Sequence, residues 1–468
     1  MDQRQSRGGS LHPAGPAGSV FVSNGRWGEW SAQETFPLSR YGIVPDTGVD
    51  LFDAIQELID TDPAPNILFD REGEYLIKKD LRPRSNQTIA GIGATKSILR
   101  NDQSATALEH RACILVGNHH PALVAAQTSY ALDAISAFDV DVTCTTAADA
   151  DNLSVGELVI VGSETLIDGA SRHAQLNKVR AISSGVVTLV DAIEEDIADP
   201  VVWTITGTDA GTGDPIYAVE NVVVENLGLM GRAAIGTKGA MFHATFRDLW
   251  CDVGIAFASN LMTHTRIKRV RGFYTNRLFD WAQNSYDVLA YDVDMKFVPP
   301  AGAHAGITMA VPVLLEQQSY RMVLEKVSVR VDASYTTNSE IVAIKGSKVV
   351  LRDCDIRHDG SSGSYAIHVP NCSYTGFRFD DVVLDNCRMS APGKARIAQV
   401  GGTLSADENP RGVRFVGGEL RESVTSESIL FQAGTGHACS SADRTGDRVE
   451  AASTGAYPDL TGYRRLLP

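Results

Sequence analysis

The chain has 468 residues, of which 43 % are hydrophobic and 21 % charged, with a formal net charge of -15. It is long enough for a large core, and its acidity excludes duplex nucleic acid or insertion in an anionic membrane as the main business of its surface, since both reward basic residues. No run of about 18 apolar residues occurs, so no transmembrane helix is expected, and seven cysteines without a CxxC spacing indicate neither a disulfide framework nor a metal site.

Residues 1–40 begin with a Gly-, Pro- and Ser-rich stretch that lacks a hydrophobic signal region, so a flexible arm without a secretory signal is expected. Trp27 and Trp30 suit either an attachment segment over 20–40 or packing against one end of the body. Within 41–120, Leu51, Ala54, Ile55, Leu58 and Ile59 share one helical face behind Asp50 as N-cap. Such a helix covers apolar side chains and unpaired strand edges at the end of a stack. Gly91 and Gly93 lack the third glycine and the following helix of a phosphate loop, and read as a turn. After a strand at 112–116 the pattern changes: 121–216 alternates strands with Gly-containing turns and reads as a small antiparallel β subdomain inserted in one turn of the main body.

From 217 to 435 one spelling returns: apolar, any, apolar, two polar or small residues, apolar, any, apolar. It starts with Val222, Val224, Leu227 and Leu229, and a fourth copy reads Tyr286, Val288, Tyr291 and Val293. The second apolar position falls at 224, 246, 267, 288, 324, 351, 384 and 415, with shortest steps of 21 to 22 residues. Alternation gives strands, and the two-residue insertion moves the chain to a second sheet with the same face inward. An additional strand precedes each pair, at 254–258, 277–281, 306–310, 340–344, 365–369, 396–400 and 428–432. Here the additional strands form sheet 1 and the two halves of the repeat form sheets 2 and 3. Three strands per coil predict an all-β fold, a right-handed parallel β-helix, with hairpin signals too few for a sandwich. Cys251, Cys354 and Cys387 fall on inward positions and read as small apolar fillers. Residues 436–468 form a C-terminal tail.

The segment YGIVPDTGVDLFDAIQELIDTD, followed by ILFDREGEYLI and LRPRSNQTIAGIGATKSILR and then by the coils after Val222, resembles the pectate-lyase-like superfamily of right-handed parallel β-helix proteins. That group includes bacteriophage tailspikes, polysaccharide lyases and glycoside hydrolases. The resemblance implies a polysaccharide as partner, a virion or extracellular location, a homotrimer, and contact with virion tail proteins through 20–40. A free bacterial lyase or glycosidase and a non-catalytic adhesin remain as alternatives.

The longest insertions border sheet 1 on both sides, which makes it the floor of a walled groove. Hydrolysis needs two carboxyl groups, one protonated and one ionised, and Asp252 with Asp280 is the expected pair, with Glu340 in reserve. β-Elimination needs a base instead, for which His243, His264 or Arg277 would serve. Trp281 and Tyr365 are expected to stack on sugar faces, and Arg277, His304, His368 and Arg396 to hold hydroxyls or carboxylates. A column of Arg271, Asp292, Asp355 and Arg388 reads as a solvated ladder of alternating charge. No metal and no cofactor is called for.

Overall fold

Each coil turns at two corners, and nearly every corner is a single residue with left-handed backbone. Between the short strands that lead into sheet 2 and sheet 2 itself stand Asn221, His243, His264, Asp287, Arg321, Lys348, Asp381 and Gly412, with φ between 51° and 58° for the non-glycine members and 65° for Gly412. Between sheets 2 and 3 stand Asn226, Asp248, Arg269, Asp292, Lys326, Asp353, Asn386 and Gly417. Asn, Asp and His tolerate this region best because their short polar groups bond locally, so their abundance here follows from the turn itself.

The structure is a computed structural model that describes residues 19–22, 29–32, 34–102, 112–119, 127–166, 172–209, 213–236, 239–281, 284–316, 319–336, 340–361, 363, 365–370, 379–394, 396–401, 410, 412–421, 429–431, 449–451 and 463–466. The expected strand at 428–432 is represented by Ile429–Phe431, while Trp27 and most of the tail lie outside the described residues. Ser19–Val22 pairs antiparallel with Glu29–Ala32, with Phe21 in register with Trp30.

Successive coils pair in parallel. On sheet 2 the ladder runs from Thr35–Pro37 through Asn66–Phe69 and Thr88–Gly91 directly to Val223–Glu225, so the intervening chain is spliced into one turn. The inward residues Ile89, Val224, Phe246, Ile267, Ala290, Leu324, Leu351, Leu384 and Phe415 are 0–1 % exposed. Ile267 pairs with Ala290, so the fourth copy of the repeat is Val288, Ala290, Val293 and Met295, two residues later than the spelling suggested. A two-residue slip keeps the period within each strand, which is why alternation alone does not detect it; the residue that changes face is Tyr291, half-buried and paired with Lys268 in the outward row of sheet 2. The expected sheet 1 strand at 306–310 is found instead several residues later, at Val313–Leu315, paired between Phe279–Trp281 and Val342–Ile344.

At the N-terminal end the helix Phe52–Ile59 buries Ile55 and Ile59 fully, whereas Ala54 faces out and Phe52 packs on the core in its place. Asp50 accepts from Phe52 N at 3.1 Å and from Lys78 N at 3.1 Å, so its carboxylate ties the helix start to the first coil. The insert is a six-stranded antiparallel half-barrel between Ser129–Ala131 and Pro200–Thr204. One of its faces shares a core with the short strands, through Leu176, Trp203, Ala240, Phe242 and Leu261. Cys113, Cys144, Cys251, Cys354 and Cys387 are buried free thiols.

Coil stacking leaves little room on sheet 3. Gly272 has φ +126°, and a Cβ there would run into Cys251 O on the preceding coil. Gly272→Ala is therefore expected to destabilise the rod by about 2–3 kcal/mol, from backbone strain and overpacking together. Equilibrium denaturation measures it, and an unchanged midpoint would refute the tight coil contact.

Candidate functional site on sheet 1

Sheet 1 carries a repeated β-bulge. Leu278 N and Phe279 N both donate to Pro312 O, at 2.7 and 3.0 Å; Ile341 N and Val342 N share Ala366 O; Ala366 N and Ile367 N share Ile397 O. Each bulge turns two consecutive residues inward, and the residue before them therefore faces out. Arg277, Glu340, Tyr365 and Arg396 thus form one half-buried outward column. Next to it, Asp280 stands opposite Leu314, then come Ala343, His368 and Gln399 on successive coils. A last column follows: Glu316 N donates to Trp281 O at 2.9 Å and Lys345 N to Leu315 O at 2.7 Å, which keeps both residues on the ladder.

Glu316 lies one coil and two residues from Asp280, a diagonal of about 8 Å between Cα positions. Asp280 is ion-paired with Arg277, its side chain is 13 % exposed, and its Oδ1 has no partner among the described residues. Burial pushes its carboxyl up, against the pull of Arg277. Glu316 is also pushed up, first by burial and then by the charge of Asp280, with Lys345 and Arg277 opposing. Burial raises Glu340 as well, and it lowers His368 to about 4, so that imidazole is neutral above this range. Tyr365 lies over His368 with ring centroids 5.1 Å apart. The face thus joins three carboxyls pushed up by burial to cations, an amide and one aromatic ring.

Other expected residues fall elsewhere. Trp281 is 0 % exposed and packs on Phe279 at 4.8 Å inside the rod, so it offers no ring to a sugar. Asp252 pairs with Phe273, six positions before Ala258, the partner of Asp280, which is about 20 Å of extended chain across the bend between sheets. Asp252 and Asp280 therefore belong to different sheets. Asp252 Oδ1 meets His304 Nε2 at 2.7 Å, and His304 is 7 % exposed, so this pair fastens the loop after Phe297. His243 is an exposed corner residue, with φ 58°, stacked on His264 at 4.6 Å, away from the sheet 1 face. The charged column is solvated, but its membership differs: Asp292 is a corner residue that meets Arg271 at 2.7 Å, Asp294 stands opposite Arg271 on sheet 3, and Arg330 from the neighbouring column meets Asp355 at 2.5 Å. Each such pair contributes about 0.2–1 kcal/mol.

His264 bridges insert and rod. Its ring nitrogens lie 2.8 Å from Asp191 in the insert and 2.5 Å from Asp287 at the next corner, and these bonds, that to Asp191 first, hold the imidazolium up to about 9. A folded pKa above the ordinary 6.5 means that the contribution is complete below 6.5 and fades as pH rises through about 9. The insert is expected to become more susceptible to proteolysis across that window, and His264→Gln to flatten the dependence. Equal susceptibility of the native chain on both sides of the window would refute the bridge.

Glu316, Lys345 and Gln399 belong to this face without a role assigned from local spelling, and the first two form its last column. Their signal is the residue immediately after the last inward residue of each sheet 1 strand, legible only once that strand is placed at Val313–Leu315.

Together these features define a right-handed parallel β-helix with an antiparallel half-barrel insert. No family model matches the chain, and no curated protein matches it. Among solved structures it is similar to the tailspike protein gp49 from Pseudomonas phage LKA1, at 14 % identity over 82 % of this chain and 68 % of that one, with a TM-score of 0.52. It is also similar to the A-module of the mannuronan C-5 epimerase AlgE6 from Azotobacter vinelandii, at 12 % identity over 93 % and 100 %, with a TM-score of 0.48. A third is the catalytic unit of a GH87 alpha-1,3-glucanase from Streptomyces thermodiastaticus, at 10 % identity over 97 % and 70 %, with a TM-score of 0.41. The first of these shares the fold, and at 14 % identity fold is what the likeness carries. Among the described residues no helix is long and apolar enough to cross a membrane.

Proposed function

We propose that the sheet 1 face binds a polysaccharide and hydrolyses it, with Glu316 as general acid and Asp280 as the ionised partner, in a tailspike-like depolymerase that works as a homotrimer on a virion. The observation that carries the reading is the pair itself: two half-buried carboxyls one coil apart, both pushed up by burial, with Arg277 opposing this at Asp280 and the Asp280 charge adding to it at Glu316. Pairs whose surroundings separate their protonation are how one site supplies acid and base together. In this reading the ionised form belongs to Asp280, which is ion-paired with Arg277, and the proton to Glu316, which delivers it to the glycosidic oxygen as the C–O bond breaks. Water adds to the anomeric carbon and its proton passes to Asp280. Lys345, Glu340, Tyr365, His368 and Arg396 bind the sugars on either side, and residues 20–40 attach the rod to tail proteins.

The test is incubation with capsule, lipopolysaccharide O-chain and uronate polymers. New reducing ends without unsaturated-uronate absorbance are expected. Appearance of that absorbance would make the protein a lyase, and a bound but uncleaved glycan would make it an adhesin.

A further inference from the structure

A second cavity of about 760 Å³ lies between the capping helix, the chain after Ile77 and the segment returning from the insert. This volume is within the roughly 300–1,000 Å³ of small-molecule sites. It opens on the same sheet as the candidate site. Ile114, Ile235, Phe257 and Phe279 are paired on successive coils, and the residues that follow them are Leu115, which lines the cavity, Gly236, Ala258 and Asp280. The cavity therefore sits three coils from Asp280, about 14 Å along the rod.

Its lining has three features. Asp80 is 8 % exposed, and its Oδ1 has no partner among the described residues, while Arg82 nearby is committed to Asp214 at 2.7 Å. An orphaned buried oxygen costs about 1–3 kcal/mol, which a ligand hydroxyl would recover. Burial also pushes this carboxyl up to about 7, so it presents a donor as well as an acceptor near neutrality. Phe52 and Tyr217 add aromatic surface, with Lys79 Nζ 5.0 Å from the Phe52 centroid. Finally, the charges are mixed: Lys79, Arg82 and Arg84 against Asp60, Asp80 and Asp214. A bound anion faces the carboxyls and a bound cation faces the basic groups. A neutral polyol donates to one set and accepts from the other, with its apolar face toward a ring.

We propose that this cavity is a non-catalytic subsite for a neutral sugar unit. That the ligand is a glycan rests on the proposed function of the sheet 1 face; the preference for a neutral unit rests on the cavity alone.

The experiment uses the full chain carrying Asp280→Asn, probed on an array of neutral and acidic oligosaccharides from bacterial capsules and O-chains, alone and with Asp80→Ala or Lys79→Ala added. Neutral glycans should bind, and either added substitution should weaken them by about tenfold while acidic glycans are unaffected. Asp80→Ala also removes the acceptor of a backbone hydrogen bond from Ala112, so Lys79→Ala, at an exposed side chain, is the variant whose melting temperature should not fall and which separates lost binding from lost fold. Unchanged affinity in both variants, binding of acidic glycans only, or no bound neutral glycan would overturn the proposal. Full cleavage by Asp280→Asn would remove Asp280 from the proposed machinery and leave the subsite standing wherever Asp80→Ala still weakens binding.

Discussion

Replacing Asp280 with Asn is expected to lower kcat/KM for glycan cleavage by about 10²–10⁴-fold, the usual contribution of a positioned acid or base. Asn keeps the volume and one acceptor for Arg277 but neither ionises nor takes a proton. The folded rod should persist, because neutralising a carboxyl that burial already pushes up relieves desolvation as Arg277 loses its countercharge. Glu316, whose charge also interacts with Arg277, remains nearby. A further consequence distinguishes this variant from a merely damaged one. The Asp280 charge raises Glu316, so its removal lets Glu316 lose its proton earlier, and the alkaline limb of residual activity should move to lower pH. Glu316→Gln should cost a similar factor in rate and remove that limb. Full activity in Asp280→Asn, measured as new reducing ends, would eliminate it from the machinery.

Trp281→Ala is expected to destabilise the protein by about 3–5 kcal/mol and to leave KM of the remaining folded protein unchanged. The ring is fully buried against Phe279, between the coil of Phe257 and the coil of Leu315. Its Nε1 has no hydrogen-bond partner among the described residues, so Trp281→Phe forfeits no such bond and should cost less, about 1–2 kcal/mol for the lost volume. Denaturation midpoints together with KM separate the two views: a sugar platform would raise KM in both variants with little change in midpoint. That outcome would place the ring at the surface and contradict the fold.

The difference over Trp281 shows what local spelling leaves open. Reading Arg277, Asp280 and Trp281 together on a groove floor disregards alternation; the bulge at Leu278 and Phe279 resolves it by turning Arg277 and Asp280 out and Trp281 in. His243 and His264 were attractive as bases because of their chemistry. Both occupy left-handed corners, where a short polar residue is favoured for backbone reasons.

By itself the sequence determined the coil, the capping helix, the place of the insert and the inward rows, because each depends on a side-chain period of two or 3.6 carried by neighbouring residues. Tertiary structure decided which outward groups meet. The sheet 1 strand lies at Val313–Leu315, several residues beyond the 306–310 of its local spelling, and Glu316 comes beside Asp280 only in that register. The protonation of that pair then depends on burial and charge across coils, and these distances through space have no counterpart in spacing along the chain.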